Sequence, residues 1–79
     1  MKIQVTQNDI DNGRSDNCKY CPVALAINRI FPGFVAVRSL TITVGEDKFP
    51  IGIPVWKFVR KFDTGCAVQP FEFELPEKL

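Results

Sequence analysis

The chain has 79 residues, of which 46% are hydrophobic and 24% are charged, and its formal net charge is +1. This balance is typical of a folded globule and argues against intrinsic disorder, while a charge this close to neutral says nothing of an acidic partner. A chain of this length has room for one domain, residues 1–79. Because so short a chain buries a small share of its surface, a partner or a homodimer stays open as an additional source of stability.

The chain shows no sign of membrane insertion or of secretion. The first residues contain no apolar signal segment, and the longest aliphatic run, Val23 to Ile27, is too short to cross a bilayer. The three cysteines, an odd number, fit a reducing compartment better than a secreted disulfide framework. We therefore expect a soluble cytoplasmic protein with no membrane partner.

The first third of the chain contains one strand signal and one capping signal. Residues 2–6 alternate between apolar and polar side chains, which predicts a half-buried strand. Thr6 stands three residues before Asp9, a spacing that predicts a capped helical turn through Asn12. We expect Gly13 to end that turn with a positive φ.

A helix and a hairpin are predicted next. Pro22 suits the first turn of a helix, which we expect to continue to about Phe31 and to end at Pro32 and Gly33. Residues 34–37 and 40–44 are predicted to be extended, with Leu40, Ile42 and Val44 on one face, and residues 45–47 to form a turn. The returning arm has an apolar face of Phe49, Ile51 and Ile53. Pro50 removes a backbone donor and Gly52 weakens the strand, so an edge or bulged strand is predicted.

The last third of the chain predicts a second helix and a final strand. Pro54 begins the helix and Gly65 ends it, and residues 71–75 alternate with the glutamates outward. The apolar stripe of this helix consists of Val55, Phe58, Val59 and Phe62. The resulting order predicts a compact α+β fold of the βαββαβ, ferredoxin-like split βαβ type, with two helices on one face of a mainly antiparallel sheet. Pro50 conflicts with this topology, which makes the third strand central.

The cysteines permit three interpretations. Zinc needs four ligands, and with no histidine in the chain the set would be Cys18, Cys21 and Cys66 plus a carboxylate such as Asp16 or Asp63. A C-x-x-C at a helix start also suits a dithiol redox site. The third interpretation is structural, with Cys21 as a small polar residue at the helix entry. We favour the structural role and expect no metal and no cofactor, although free, bridged and metal-bound thiols all stay open.

Enzymatic function is not expected. Residues 9–13 resemble the start of a calcium loop, but the glycine comes one residue early and Tyr20 stands where the closing glutamate is needed. A capped turn explains the same residues without a metal. There is no glycine-rich phosphate loop, and no catalytic triad can be drawn without histidine. We therefore assign no catalytic residue.

The second predicted helix carries the candidate partner-binding residues. Three cations share one exposed face beside an aromatic residue: Trp56, Lys57, Arg60 and Lys61. Tryptophan and arginine are enriched at interface hot spots, and the same combination can contact nucleic acid. The alternative is an ordinary solvated helix face with the tryptophan at the core boundary. Among functional interpretations a protein partner is preferred, because the chain lacks a basic excess and because Glu72 and Glu74 would repel phosphate.

The motifs together resemble a family of small uncharacterised proteins encoded by bacteriophages and prophages. The resemblance covers nearly the whole chain, through V-T-x-x-D-I-D-N-G at residues 5–13, C-x-x-C-P-V-A-L-A at residues 18–26, F-D-x-G at residues 62–65 and V-x-P-F-x-F at residues 68–73. It implies a phage product in the cytoplasm of a bacterial host, where many proteins of this size bind and block host machinery, including CRISPR effectors and other defence systems.

We accordingly predict a non-enzymatic, stoichiometric inhibitor of a host defence protein or nucleoprotein complex. Two alternatives stay open: a small nucleic-acid-binding protein, and a thiol- or zinc-dependent regulator that uses the C-x-x-C. A third, a sponge for small nucleotide signals, would need a pocket that no motif reveals.

Overall fold

The computed structural model of the chain describes residues 1–38 and 40–76. Within these ranges the strands are β1 (Lys2–Val5), β2 (Val35–Val37), β3 (Thr41–Val44), β4 (Asp47–Pro50) and β5 (Phe71–Glu74). The helices are α1 (Gln7–Asn12), α2 (Pro22–Ile30) and α3 (Ile53–Asp63). The predicted α+β class is confirmed, with helices packed on antiparallel sheets.

The two ends of the chain form one small sheet. β1 and β5 pair antiparallel, with Ile3 opposite Phe73. The N-terminal ammonium of Met1 donates a hydrogen bond to the Leu75 carbonyl at 2.7 Å, and the Leu75 amide donates to the Met1 carbonyl at 2.8 Å. The alternating pattern predicted for residues 71–75 is confirmed, because Glu72 is exposed while Leu75 is buried.

The middle of the chain forms a second sheet, a meander in the order β2-β3-β4. Gly45 adopts φ +60° in the turn between β3 and β4, where Val44 faces Asp47 across the hairpin. A positive φ at this position suits a tight hairpin, and glycine adopts it without steric cost. Pro50 ends β4, which is an edge strand as predicted, because a proline has no amide to donate to a further strand.

The predicted ferredoxin-like arrangement is not confirmed: the described residues form two sheets and three helices in place of one sheet with two helices. In a ferredoxin-like sheet β1 would pair with strands on both sides. Here Met1 and Leu75 exchange two backbone hydrogen bonds. Because hydrogen-bonded and non-hydrogen-bonded pairs alternate along antiparallel strands, the Gln4 carbonyl points away from β5. That carbonyl accepts a hydrogen bond from Arg29 Nη2 at 3.0 Å. A side chain of α2 therefore binds at the β1 edge where the central strand would lie.

The signals at the helix starts are confirmed. Thr6 caps α1 in a reciprocal box with Asp9, and Cys21 caps α2, which begins at Pro22 as predicted. The predicted positive φ at Gly13 is wrong, since its φ is −74°. Glycine is needed there for space, because a Cβ would lie 2.6 Å from the ring of Pro22.

Helix α3 begins one residue earlier than predicted and ends as expected. Gly52 is its N-cap and Pro54 lies in its first turn. At the other end Gly65 adopts φ +81°, and the Cys66 amide donates to the Lys61 carbonyl at 2.9 Å. Helix C-termini commonly end on a glycine in this conformation.

The core lies between α2, α3 and the two sheets. Its buried members are Ile3, Val5, Cys21, Val23, Ala24, Ala26, Ile27, Val35, Val37, Ile42, Val55, Phe58 and Leu75. Phe58 of α3 joins the terminal sheet through Phe71, whose ring centroid lies 4.6 Å away. This contact fixes which face of α3 points inward and therefore which face remains outside.

Candidate functional site

Helix α3 is amphipathic, and its outer face carries the four candidate partner-binding residues. Val55 and Phe58 are buried on the inner face. Trp56 follows Val55 by one residue, so its side chain lies at the boundary between the two faces, with 39% of its surface exposed. The ring is thus anchored on one side and available on the other.

Arg60 and Trp56 form a stacked pair. The guanidinium carbon of Arg60 lies 5.2 Å from the centroid of the Trp56 ring. The two residues are one helical turn apart, which places their side chains over each other. A cation over an aromatic face is attracted by the ring electrons, so the arginine is held in position while its outer edge stays free to bind.

The four predicted residues do not form one cluster, because the structure separates them into two rows. Trp56 and Arg60 line a cleft of about 180 Å³. Lys57 and Lys61 line a different depression, on the side of α3 that faces residues 67–71. The predicted patch is therefore an aromatic row beside a lysine row, and only the aromatic row borders this narrow cleft.

The cleft beside Trp56 includes residues that the sequence did not indicate. It lies between the end of β2, the segment after β4 and helix α3, and its lining residues are Val37, Arg38, Ile51, Trp56, Val59, Arg60 and Asp63. Arg38 is the important addition, since it is a second arginine in the lining of the cleft beside Trp56 and Arg60. No local pattern could have shown this, because Arg38 reaches α3 through the tertiary fold alone.

Two exposed aliphatic side chains extend this surface. Ile53 is 69% exposed and lies one turn before Trp56 on α3, and Leu40 is 75% exposed. Leu40 is near the cleft because its carbonyl accepts a hydrogen bond from the Ile51 amide at 3.0 Å. Both were predicted to face inward on strands, and both predictions are wrong: β3 begins after Leu40, and α3 begins at Ile53.

The cations of this surface are not neutralised within the described residues. There the ion pairs are Met1 with Glu74, Lys2 with Glu72 and Arg29 with Asp9. In residues 1–38 and 40–76 no carboxylate lies within ion-pair distance of the four cations around α3, which are Arg38, Lys57, Arg60 and Lys61. We call these four cations, together with Leu40, Ile53 and Trp56, the α3 face.

The cysteines have separate environments. Cys21 is buried, and its Sγ accepts a hydrogen bond from the Ala24 amide at 3.4 Å, which is the capping role predicted for it. Burial raises the pKa of the Cys21 thiol above its usual value. Cys18 is half-buried and Cys66 is exposed. Across the described ranges no three metal-binding side chains come together.

The residues considered for a calcium loop form helix α1 instead. The Asp9 carboxylate accepts hydrogen bonds from Arg29 at 2.7 Å and from the Thr6 amide at 2.9 Å. Asp16 and Asp63, considered as metal ligands, meet through a hydrogen bond from the Asp16 amide to Asp63 Oδ1 at 2.9 Å. The carboxylates of Asp9 and Asp63 therefore accept hydrogen bonds from groups of the protein itself.

A larger, mostly apolar cleft of about 610 Å³ lies between the two sheets. Met1, Ile30 and Phe34 contribute exposed apolar surface to it, and Glu46 and Asp47 contribute carboxylates. Among the described residues no lysine or arginine lines this cleft, so it lacks the cations that bind nucleotide phosphates and does not favour the nucleotide-sponge alternative.

No family model matches the chain, and neither a curated protein nor a solved structure matches it significantly. In the part of the chain that the structure describes, no helix has the length and apolar character needed to span a membrane.

Proposed function

We propose that this protein is a non-enzymatic, stoichiometric binding protein that uses the α3 face to bind another protein. The observation that carries the proposal is the exposed Trp56 ring with Arg60 stacked on it, beside the exposed side chain of Ile53. Tryptophan and arginine dominate the binding energy of protein interfaces when apolar neighbours exclude water around them. The α3 face has this composition.

A protein partner suits this surface better than nucleic acid does. Leu40 and Ile53 expose aliphatic carbon, which gains free energy when it is buried against another apolar surface. Phosphate contacts use cations and gain nothing from aliphatic side chains. The net charge of +1 also supplies little of the long-range attraction that nucleic-acid-binding proteins use.

The resemblance to phage and prophage proteins gives the partner a setting. We propose that the partner is a bacterial host protein or nucleoprotein complex, and that binding inhibits a defence function in the host cytoplasm. An inhibitor of this kind needs contact area and no reactive group, which agrees with the chemistry of the α3 face.

The test is affinity capture from a bacterial host, with a matched pair of variants. The test variant is Trp56→Ala with Arg60→Glu. The control is Phe34→Ala with Lys19→Glu, because Lys19 Nζ lies 5.2 Å from the centroid of the exposed Phe34 ring and forms the same kind of pair elsewhere. Circular dichroism melts check that both variants fold.

The proposal expects a host protein that the wild type and the control capture in one-to-one ratio and that the test variant loses. Equal capture by all three proteins would overturn the choice of the α3 face. Retention of DNA or RNA at low salt by the wild type, lost in the test variant, would favour the nucleic-acid alternative instead.

A further inference from the structure

We infer that the cleft beside Trp56 is the anchor site of the interface, an inference that rests on the proposed function. The cleft takes one acidic side chain, an aspartate or a glutamate, from the partner protein. Its lining combines apolar residues with two arginines, Arg38 and Arg60. The sequence indicates neither the cleft nor its second arginine.

The size of the cleft limits its occupant. Its volume is about 180 Å³. Sites for small molecules and cofactors usually measure roughly 300–1,000 Å³, so this cleft is too small for most free ligands. A single amino-acid side chain is of the right size. Hot spots at protein interfaces commonly consist of one such side chain in a pocket of the partner.

The floor of the cleft suits the carbon atoms of that side chain. Val37 is buried at the end of β2, Val59 is half-buried on α3, and Ile51 lies between them in sequence, after β4. The ring of Trp56 adds a further apolar wall. These groups can pack against the methylene stem of a glutamate, which a bare phosphate lacks.

The charge of the cleft suits a carboxylate. Arg38 and Arg60 both line it, and neither has a carboxylate within ion-pair distance in the described residues. Asp63 is the acidic lining residue, and its Oδ1 already accepts a hydrogen bond from the Asp16 amide. Two guanidinium groups against one carboxylate leave a positive charge. Arginine binds carboxylates through paired, charge-assisted hydrogen bonds, so an acidic side chain is the complementary group.

The surroundings of the cleft favour a folded protein or peptide as the source of this carboxylate. Ile53 and Leu40 flank it with exposed aliphatic surface. An acidic residue within an apolar stretch of the partner would place its carboxylate between the arginines while its neighbours cover the two aliphatic side chains. Burial of those neighbours would exclude water and strengthen the charged contacts.

The experiment uses a randomised peptide library selected on the immobilised full-length protein. The best peptide is then synthesised with its acidic residue intact and with the amide isostere in its place. Trp56 is the single tryptophan of the chain, so its fluorescence reports binding at this cleft directly. Titrations are made with the wild type, with Arg38→Gln, and with Lys48→Gln as the control, because Lys48 is an exposed cation on β4 outside the α3 face.

We expect the selected peptides to share an aspartate or glutamate next to apolar residues. The amide peptide should bind at least about tenfold more weakly than the acidic peptide. Arg38→Gln should weaken binding of the acidic peptide by a similar factor, because each change removes a charge-assisted hydrogen bond. Arg38→Gln should not weaken the amide peptide further, because the carboxylate and the guanidinium act as a pair. Lys48→Gln should change binding less than about threefold.

The opposite results separate this inference from the proposed function. Peptides without an acidic residue, or equal effects of Arg38→Gln and Lys48→Gln, overturn the acidic anchor. If binding is nevertheless lost in Trp56→Ala, the α3 face stands as an interface. Binding to Trp56→Ala, which has no tryptophan signal, is measured by isothermal titration calorimetry beside the wild type, and peptides that bind both proteins equally well overturn both the acidic anchor and the α3 face. A single-stranded oligonucleotide that displaces the peptide and loses affinity in Arg38→Gln overturns the protein anchor in favour of nucleic acid.

Discussion

Arg29 Nη1 lies 2.7 Å from Asp9 Oδ1 and thereby joins helix α2 to the cap of helix α1. The second nitrogen, Nη2, bridges Asp9 Oδ2 at 3.1 Å and the Gln4 carbonyl at 3.0 Å. One guanidinium therefore connects the first strand, the first helix and the second helix. Asp9 is 4% exposed, so its charge depends on this partner and on the Thr6 cap.

The first prediction concerns the pH dependence of stability through Asp9. Burial alone raises the pKa of this carboxyl, but the hydrogen bonds from Arg29 and Thr6 outweigh it and hold the pKa below its usual 3.8. A lowered folded-state pKa contributes stability above the unfolded pKa, and the contribution is lost as pH falls through the folded value. At pH 7, Asp9→Asn should lower the free energy of unfolding by about 2 kcal/mol, because it removes charge-assisted bonds.

The check is urea unfolding of the wild type and of Asp9→Asn at a series of pH values. The difference between the two should be constant from pH 7 to about pH 5. It should shrink below about pH 4, where Asp9 takes up a proton in the unfolded chain before it does so in the folded one. A difference that is the same at pH 7 and at the lowest pH would show that the charge of Asp9 contributes nothing.

The second prediction uses two glycines that differ in the space around them. Gly13→Ala should destabilise the fold by about 1–3 kcal/mol, because its Cβ would meet the Pro22 ring at 2.6 Å and force the two segments apart. Gly52→Ala is the matched control, since its Cβ would make an ordinary contact at 3.8 Å with Pro54. The control should change stability by less than about 0.5 kcal/mol. Thermal melts compare the two variants. Equal melting temperatures would contradict the close approach of Gly13 to the Pro22 ring.

The third prediction concerns the order in which the thiols react. Cys66 is exposed, whereas Cys21 is buried and burial raises its pKa, so less reactive thiolate forms. Iodoacetamide at neutral pH should therefore modify Cys66 first and leave Cys21 protected until the chain unfolds. Intact mass followed by peptide mapping measures both rates, with the urea-denatured chain as the control in which burial no longer protects Cys21. Equal rates at Cys21 and Cys66 in the folded protein would contradict the capping role of Cys21.

Local signals in the sequence predict the individual elements well. The Thr6 cap, the proline at position 22 and the alternation of residues 71–75 each depend on neighbours within a few positions, and each is confirmed. The division into two sheets is different, because it depends on which strand edges pair. Pro50 predicted an edge or bulged strand at β4, but the hydrogen bond from Arg29 to the Gln4 carbonyl joins residues 25 positions apart and has no local signal.

Sequence patterns predict the candidate site only where its contacts are local. Helical spacing places Trp56 and Arg60 over each other, and the structure confirms that contact. The same spacing placed Lys57 and Lys61 in one patch with them, whereas the packing of residues 67–71 against the other flank of α3 gives the lysines a separate depression. Arg38 follows β2 directly and lines the cleft beside Trp56. Its place in the candidate site depends on the fold and not on any motif.

The fourth prediction separates binding from folding on helix α3. Ile53→Ser should leave the free energy of unfolding within about 0.5 kcal/mol of the wild type, because Ile53 is 69% exposed. It should nevertheless weaken capture of the partner, since it removes aliphatic surface beside Trp56. Val55→Ser is the matched change on the inner face, where the side chain is buried, and it should cost about 2–4 kcal/mol of stability. Urea unfolding and quantitative capture measure the two effects, and an Ile53→Ser variant that keeps full stability and full capture would show that the partner does not cover this end of the α3 face.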